Sequence, residues 1–193
     1  YDAGIEILEQ KDPTIILKAQ KNSQEQNAMK SAHVRDGVAI VKFLYWLEKH
    51  KGNSDLSELS IADKLEQFRK ASSLYKDSSF DTICGWNANG AIIHYRATPE
   101  SHAKIPANTN GLLLLDSGAQ YEDGTTDITR TISFGAVDPS IRAHNTLVLK
   151  GMIAISKAKF PYGTTGAQVD VLARTALWDH GVDYAHGTGH GVG

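Results

Sequence analysis

Apolar and polar residues in the first third of the chain alternate with the spacing of helices. A long amphipathic pattern begins at Asn22 or Ser23, residue types that cap helices, and ends in a cationic stretch before Gly52. A second amphipathic pattern predicts a helix from about Ser57 to Tyr75. Both segments therefore place one apolar face against a core.

The period then changes from that of helices to that of strands. Three short apolar runs, SFDTICGW, GAIIHY and GLLLLDSG, predict strands, and TTDITRTISFG alternates with period two. Asp138 and Pro139 predict the start of a third helix, and a fourth is predicted between Gly166 and His180. Long helices beside antiparallel strands predict the α+β class, with an antiparallel sheet covered by helices.

Composition excludes several classes of protein. The 193 residues carry a formal net charge of −2, so we predict no nucleic-acid partner, and no apolar run is long enough to predict a membrane span. The single cysteine, Cys84, excludes an intrachain disulfide framework and favours a reducing compartment, the cytoplasm. The chain starts with YDAGIEIL and stops on HGTGHGVG, so we expect it to be cut at both ends.

Two aspartates in LLLLDSGAQYEDGTTDITRTISF predict a cation site. A hairpin that turns about Glu122-Asp123 places Asp116 opposite Thr129. Asp127 is then the diagonal neighbour of Asp116 on the same face, about 7–8 Å away between Cα atoms. Two carboxylates at this distance repel each other, and their burial is unfavourable because they lose hydration. A cation between them would compensate for both effects. A β-bulge would change this geometry, and either aspartate alone also fits a turn or a surface pair with Arg130.

Three histidines are candidates for the same site. His190 is a suitable nitrogen ligand, since imidazole binds Mn, Zn, Co or Fe, although a glycine-flanked histidine also fits a mobile loop. His186 lies four residues earlier; on a strand the two would be about 13 Å apart and would line one pocket rather than bind one ion. His94, in GAIIHY, fits either a hydrogen-bonded structural histidine or a catalytic one.

Taken in order, GAIIHY, LLLLDSGAQYEDGTTDITRTISFG and ALWDHGVDYAHGTGHGVG resemble the Xaa-Pro aminopeptidases (aminopeptidase P) of the pita-bread metallopeptidase family. The likeness is greatest to the cytosolic branch. It implies an incomplete pita-bread fold, in which residues 1–21 are the tail of a preceding domain. Residues 22–193 are then the N-terminal part of the catalytic domain.

The resemblance also implies a dinuclear site with two divalent metal ions, usually Mn²⁺, with Zn²⁺ or Co²⁺ as alternatives. The implied metal ligands are Asp116, Asp127 and His190. His94 and His186 fall where the family keeps pocket histidines that contact substrate or assist proton movement. The family's two glutamate ligands lie beyond HGTGHGVG, so we expect three of the five ligands in this chain.

The implied activity is release of the N-terminal residue from peptides with proline at the second position, by a hydroxide that two metal ions activate. A prolidase-type Xaa-Pro dipeptidase and a non-catalytic pita-bread peptide-binding module are the alternatives. We expect the fragment alone to be inactive and to leave apolar helix faces uncovered. The resemblance implies Xaa-Pro peptides as partners and a homodimer of the full-length protein.

Overall fold

A computed structural model describes residues 8–10 and 12–192 of the chain. The described helices are α1 (Thr14–Ala19), α2 (Ser23–His50), α3 (Glu58–Lys70), α4 (Pro139–Lys157) and α5 (Gly166–Trp178). The described strands are β1 (Tyr75–Ser78), β2 (Ile83–Trp86), β3 (Gly111–Ser117), β4 (Ala119–Tyr121), β5 (Gly124–Thr125) and β6 (Ile128–Phe134). This mixture confirms the α+β class. A short helix that the sequence predicts around Ile5 lies largely outside the described residues.

Helices α2 and α3 both begin at capping boxes. The Asn22 side chain accepts a hydrogen bond from the backbone N–H of Glu25, and the Glu25 carboxylate accepts one from the backbone N–H of Asn22. At the start of α3, the Ser57 hydroxyl accepts a hydrogen bond from the backbone N–H of Ser60, and the Ser60 hydroxyl accepts one from the backbone N–H of Ser57. The predicted end of α3 at Tyr75 is wrong: the helix stops at Lys70, because Tyr75 begins β1 and pairs with β4.

Two three-stranded antiparallel sheets share one long hairpin. β3 lies between β2 and β6 in the first sheet, and β4 lies between β1 and β5 in the second. Leu115 pairs with Arg130 in the first sheet, and Tyr121 pairs with Gly124 in the second. The two pairs are separated by six residues on each strand, so no β-bulge lies between them and the hairpin passes from one sheet to the other in a single register. The predicted turn at Glu122-Asp123 is confirmed.

The main core lies between α2, α3 and the β2–β3–β6 sheet. Its fully buried side chains come from all three layers and include Phe43, Leu47, Ile61, Leu65 and Leu113. Trp86 packs edge-on against Phe134, with ring centroids 5.1 Å apart. Burial alternates along β3, so Leu113 and Leu115 face the core and Asp116 lies on the opposite, half-buried face.

The GAIIHY segment is not a strand, which corrects the prediction for the residues before His94. A 3-10 turn covers Asn87–Ala91, and a loop follows it. A Cβ on Gly85 would lie 2.7 Å from the Cα of Gly90, so the chain folds back closely onto β2. His94 itself has a φ of 54°, in the left-handed region.

Helices α4 and α5 pack on each other, and neither packs extensively on the described sheets. Asp138 caps α4 and Pro139 is its first residue, as predicted. A Cβ on Gly151 would lie 2.1 Å from the carbonyl oxygen of Ala173, so this glycine allows the close contact between the two helices. Several large apolar side chains of the pair remain exposed: Val148, Leu149, Met152, Ile153 and Trp178.

The segment 183–192, which contains HGTGHGV, forms neither helix nor strand. None of the described helices has the length and hydropathy needed to cross a lipid bilayer.

Candidate metal centre

The two hairpin aspartates occupy the positions that the sequence predicts. Asp116 pairs with Thr129, and Asp127 comes immediately before β6, diagonal to Asp116. Asp116 Oδ1 is buried and has no hydrogen-bond partner among the described residues. Burial raises the pKa of the Asp116 carboxyl and the negative charge of Asp127 adds to this rise, while the neighbouring Thr129 hydroxyl lowers the pKa. The charged form of Asp116 is therefore disfavoured at this position, and a bound cation would stabilise it.

Backbone packing fixes the point where the hairpin crosses between the sheets. The backbone N–H of Thr126 donates to the carbonyl oxygen of Ala119, and the N–H of Ala119 donates to the Thr126 hydroxyl. Ser79 donates a further bond to the carbonyl oxygen of Thr126. A Cβ on Gly118 would lie 2.0 Å from that carbonyl oxygen, so only glycine fits there. Asp116 and Asp127 flank this crossing and take their positions from it.

A buried carboxylate supports the crossing from beneath. Asp36 of α2 is fully buried and accepts hydrogen bonds from Arg69 Nε at 2.8 Å and from the Tyr121 hydroxyl at 2.8 Å. It also accepts one from the Thr126 hydroxyl at 3.0 Å, next to Asp127. The sequence reasoning missed this network. Its one signal is a charged residue on the apolar face of α2, between Ala32 and Ile40.

The structure brings His190 to Asp127. His190 Nε2 lies 3.4 Å from Asp127 Oδ2, while its Nδ1 lies 2.7 Å from the carbonyl oxygen of Gly191. The imidazole is 73% exposed and the Asp127 side chain is 29% exposed. Within the described residues, no three His, Cys, Asp or Glu side chains are already close enough together to hold one ion. The predicted ligands therefore meet in pairs, Asp116 with Asp127 and Asp127 with His190.

The two other histidines differ in their relation to these aspartates. His94 is exposed and lies near enough to Asp116 for its charge to lower the pKa of that carboxyl. His186 is exposed, with its ring 4.7 Å from the ring of Tyr184 and its Nδ1 2.8 Å from the carbonyl oxygen of Gly187. No described hydrogen bond or ion pair joins His186 to either aspartate.

A second buried carboxylate, also missed, holds the loop that carries His94. Glu58 is fully buried and accepts hydrogen bonds from the backbone N–H of Trp86 at 2.6 Å and of Ala103 at 2.7 Å. It also accepts one from the hydroxyl of Tyr95, the neighbour of His94, at 2.8 Å. Sequence carries no signal for this role, because a glutamate just after a helix cap is ordinarily exposed.

Comparison with known proteins identifies the family of this chain. Residues 27–193 match Peptidase_M24, the metallopeptidase family M24. The chain is 49% identical over 197 residues to aminopeptidase P2 of Arabidopsis thaliana, covering 100% of this chain and 27% of the relative. It is 46% identical over 191 residues to Xaa-Pro aminopeptidase 1 of Dictyostelium discoideum, covering 97% of this chain and 30% of that relative. The chain thus spans less than a third of either relative.

Solved structures show the same fold. The X-prolyl aminopeptidase from Caenorhabditis elegans, described as a cytosolic enzyme with a di-nuclear active site, superposes with a TM-score of 0.88 at 44% identity; the match covers 94% of this chain and 30% of that one. The prolidase from Pyrococcus furiosus superposes with a TM-score of 0.72 at 26% identity, over 87% of this chain and 47% of that one. The expected pita-bread fold and the resemblance to Xaa-Pro aminopeptidases are confirmed, and the chain belongs to metallopeptidase family M24.

Proposed function

We propose that the protein containing this chain is a metal-dependent aminopeptidase that releases the N-terminal residue from peptides with proline at the second position. The observation that carries the proposal is the pair of aspartates on one face of the hairpin, with His190 Nε2 3.4 Å from Asp127. The name and di-nuclear site of the Caenorhabditis elegans enzyme support it, at 44% identity.

Asp116, Asp127 and His190 are the proposed ligands of two divalent metal ions, Mn²⁺ first, with Zn²⁺ and Co²⁺ as alternatives. Two carboxylates and an imidazole suit these ions, and the buried, unpaired Oδ1 of Asp116 is an oxygen in need of a cation. Bound ions of this kind lower the pKa of water to supply a nucleophile and polarise a carbonyl. Two glutamates from outside this chain complete the proposed set.

His94 and His186 are the proposed pocket histidines. An imidazole ring can both donate and accept a proton. His94 is exposed on the side of Asp116, where it can donate a hydrogen bond to a substrate carbonyl as negative charge develops on its oxygen. His186 is exposed in the loop that carries His190, so it can reach a substrate bound against the same loop.

A tripeptide assay on the full-length protein tests the proposal. With Mn²⁺ present, we expect release of arginine from Arg-Pro-Pro, and we expect Asp116→Asn, Asp127→Asn and His190→Ala to reduce it to background. Asp123→Asn is the matched control, because Asp123 lies at the tip of the same hairpin and pairs with Arg35 instead. No release of arginine by the metal-loaded wild type would sink the proposal.

A prolidase-type dipeptidase is the alternative with structural support. The Xaa-Pro dipeptidase from Bacillus anthracis superposes with a TM-score of 0.76, although at 27% identity. The two activities separate on substrate length: an aminopeptidase P cleaves Arg-Pro-Pro, whereas a dipeptidase prefers Arg-Pro. A non-catalytic peptide-binding module would bind Arg-Pro-Pro and cleave neither.

The remaining expectations belong to the same proposal. Residues 1–21 are proposed as the tail of a preceding domain and residues 22–193 as the N-terminal part of the catalytic domain. This fragment is proposed to be inactive on its own. The family match from residue 27 supports this boundary. We also propose a homodimer of the full-length protein in the cytoplasm, to be checked by light scattering and by imaging of a tagged protein.

A further inference from the structure

One guanidinium holds the loop that carries His186 and His190. Arg174, on α5, donates from Nη1 to Asp183 Oδ1 at 2.8 Å and to the carbonyl oxygen of Tyr184 at 2.7 Å. Its Nη2 donates to the carbonyl oxygen of His186 at 2.8 Å. Three successive points of a segment without helix or strand are therefore tied to a single side chain.

The same side chain is itself held in place. Arg174 Nε donates to Asp170 Oδ2 at 2.7 Å, one turn earlier on α5. The guanidinium also lies over the ring of Tyr184, with Cζ 4.0 Å from the ring centroid. Only 14% of the Arg174 side chain is exposed, so these contacts are partly shielded from water.

Asp170 continues this support toward His190. The Thr188 hydroxyl, midway between the two histidines, donates to Asp170 Oδ1. Thr188 Oγ1 also lies 2.5 Å from the Tyr184 hydroxyl. The loop is thus fixed on both sides of His186, up to two residues before His190.

Such support matters because the loop contains three glycines among residues 187–191. Glycine has the greatest conformational freedom of any residue, and ordering it on binding lowers the affinity for the ligand. A loop that is ordered beforehand loses less entropy when its histidine binds a metal ion. Groups that orient metal ligands typically change metal affinity by roughly 10- to 100-fold.

We propose that Arg174, together with Asp170, is a positioning residue that sets where His190 and His186 stand relative to Asp116 and Asp127. This inference rests on the proposed function, because it gives His190 the role of a metal ligand. Electrostatics alone predicts the opposite effect of removing Arg174: losing a cation near a dication site strengthens metal binding. The sign of the change in affinity therefore separates positioning from charge.

Mn²⁺ titration calorimetry on the full-length protein tests the inference. We expect Arg174→Gln to weaken Mn²⁺ binding by roughly tenfold or more and Arg174→Lys to recover little, because an ammonium cannot reproduce the planar set of donors. Arg142→Gln is the matched control; Arg142 is an exposed arginine on α4 whose side chain forms no ion pair or hydrogen bond among the described residues. Mn²⁺ affinity that is unchanged or higher in Arg174→Gln overturns the inference.

A double-mutant cycle shows whether Arg174 acts through His190. In the His190→Ala background, we expect Arg174→Gln to change Mn²⁺ affinity by less than about twofold, since the ligand it positions is gone. An equal loss in both backgrounds overturns the inference. If Arg174→Gln does not fold, as judged by circular dichroism, Thr188→Val takes its place, with the same expected weakening and the same overturning result.

A metal-free measurement keeps the two proposals distinguishable. Chymotrypsin cleaves after tyrosine, and Tyr184 lies beneath the Arg174 guanidinium. Without metal, we expect cleavage after Tyr184 to be roughly tenfold faster in Arg174→Gln than in Arg142→Gln, because local opening exposes the loop. An unchanged rate overturns the inference whatever the metal data show. Wild-type protein that binds no Mn²⁺, or His190→Ala that binds it like the wild type, overturns the proposed function instead.

Discussion

The hairpin that carries Asp116 and Asp127 and the loop that carries His190 reach the same site by different means. The hairpin is paired along its length and rests on the fully buried carboxylate of Asp36. The loop has no regular structure, is largely exposed, and is tied to α5 by Arg174. The two aspartates are therefore positioned by strand pairing and core packing, and His190 by contacts of its loop with Arg174. Substitutions beneath the hairpin should lower the free energy of unfolding, whereas substitutions at the loop contacts should lower the affinity for metal ions.

The largest expected effect is in the buried network beneath the hairpin. Asp36→Asn leaves the guanidinium of Arg69, of which only 2% of the side chain is exposed, without a charged partner. Removing one member of a buried ion pair costs about 3–5 kcal/mol, so we expect a loss of that size in the free energy of unfolding in urea. Asp63→Asn, at an exposed position on α3, is the control and should change the free energy by less than about 0.5 kcal/mol. Equal effects in the two variants would show that the hairpin does not depend on this network.

A pair of glycine substitutions compares the two regions directly. Gly118→Ala places a Cβ 2.0 Å from the Thr126 carbonyl oxygen and 2.1 Å from Ser79 Oγ, so we expect a destabilisation of about 1–3 kcal/mol. Gly187→Ala meets no atom within 4 Å in the loop and should be nearly neutral. Thermal unfolding of both variants is the measurement. A loop variant that loses as much stability as the hairpin variant would contradict the difference between the regions.

The third prediction concerns the proposed ligand Asp116 in the metal-free protein. Burial and the neighbouring Asp127 both disfavour its charged form. We expect Asp116→Asn to stabilise the metal-free protein by about 1 kcal/mol, the usual sign when a residue retained for function is removed. His190→Ala, in the exposed loop, should leave that stability unchanged. Urea unfolding with a chelator present tests both, and a destabilised Asp116→Asn would argue that this carboxylate is structural.

The smallest expected effect is at the hairpin's tip. The Arg35 guanidinium donates to Asp123 at 2.7 Å and holds the pKa of that carboxyl below its usual range. A lowered pKa in the folded state adds stability above the unfolded-state pKa of about 3.9, and this stability is lost as the pH falls through the folded-state value. We expect Arg35→Gln to cost less than about 1 kcal/mol at pH 7. The difference from wild type should shrink in urea unfolding below pH 4; a difference that persists there would point to packing of Arg35 on Tyr121 instead.

Sequence reasoning failed where apolar runs do not mark strands. Ile92 and Ile93 in GAIIHY are 53% and 50% exposed, so their apolar character reflects no burial in a described sheet. The segment turns instead, because Glu58 accepts hydrogen bonds on both sides of it and Gly90 packs against Gly85. The local pattern of apolar residues does not show which distant residues will form hydrogen bonds with a segment. For this reason the predictions for this loop and for the end of α3, which is at Lys70, were wrong.

Features that depend on interactions between residues close together in the chain were predicted correctly from the sequence alone. The caps of α2 and α4, the turn at Glu122-Asp123 and the pairing of Asp116 with Thr129 all depend on residues close together in the chain. Turn chemistry and two-residue alternation are enough to determine them. The sequence therefore determined the hairpin and the face on which both aspartates lie.

Only the tertiary structure decided what surrounds that hairpin. The buried carboxylates of Asp36 and Glu58, and the approach of His190 to Asp127, join residues far apart in sequence. Whether a charged side chain is buried and paired or exposed depends on where distant elements pack, and no local pattern encodes that choice. The hairpin was thus determined by its own residues, and the site by the elements that meet at it.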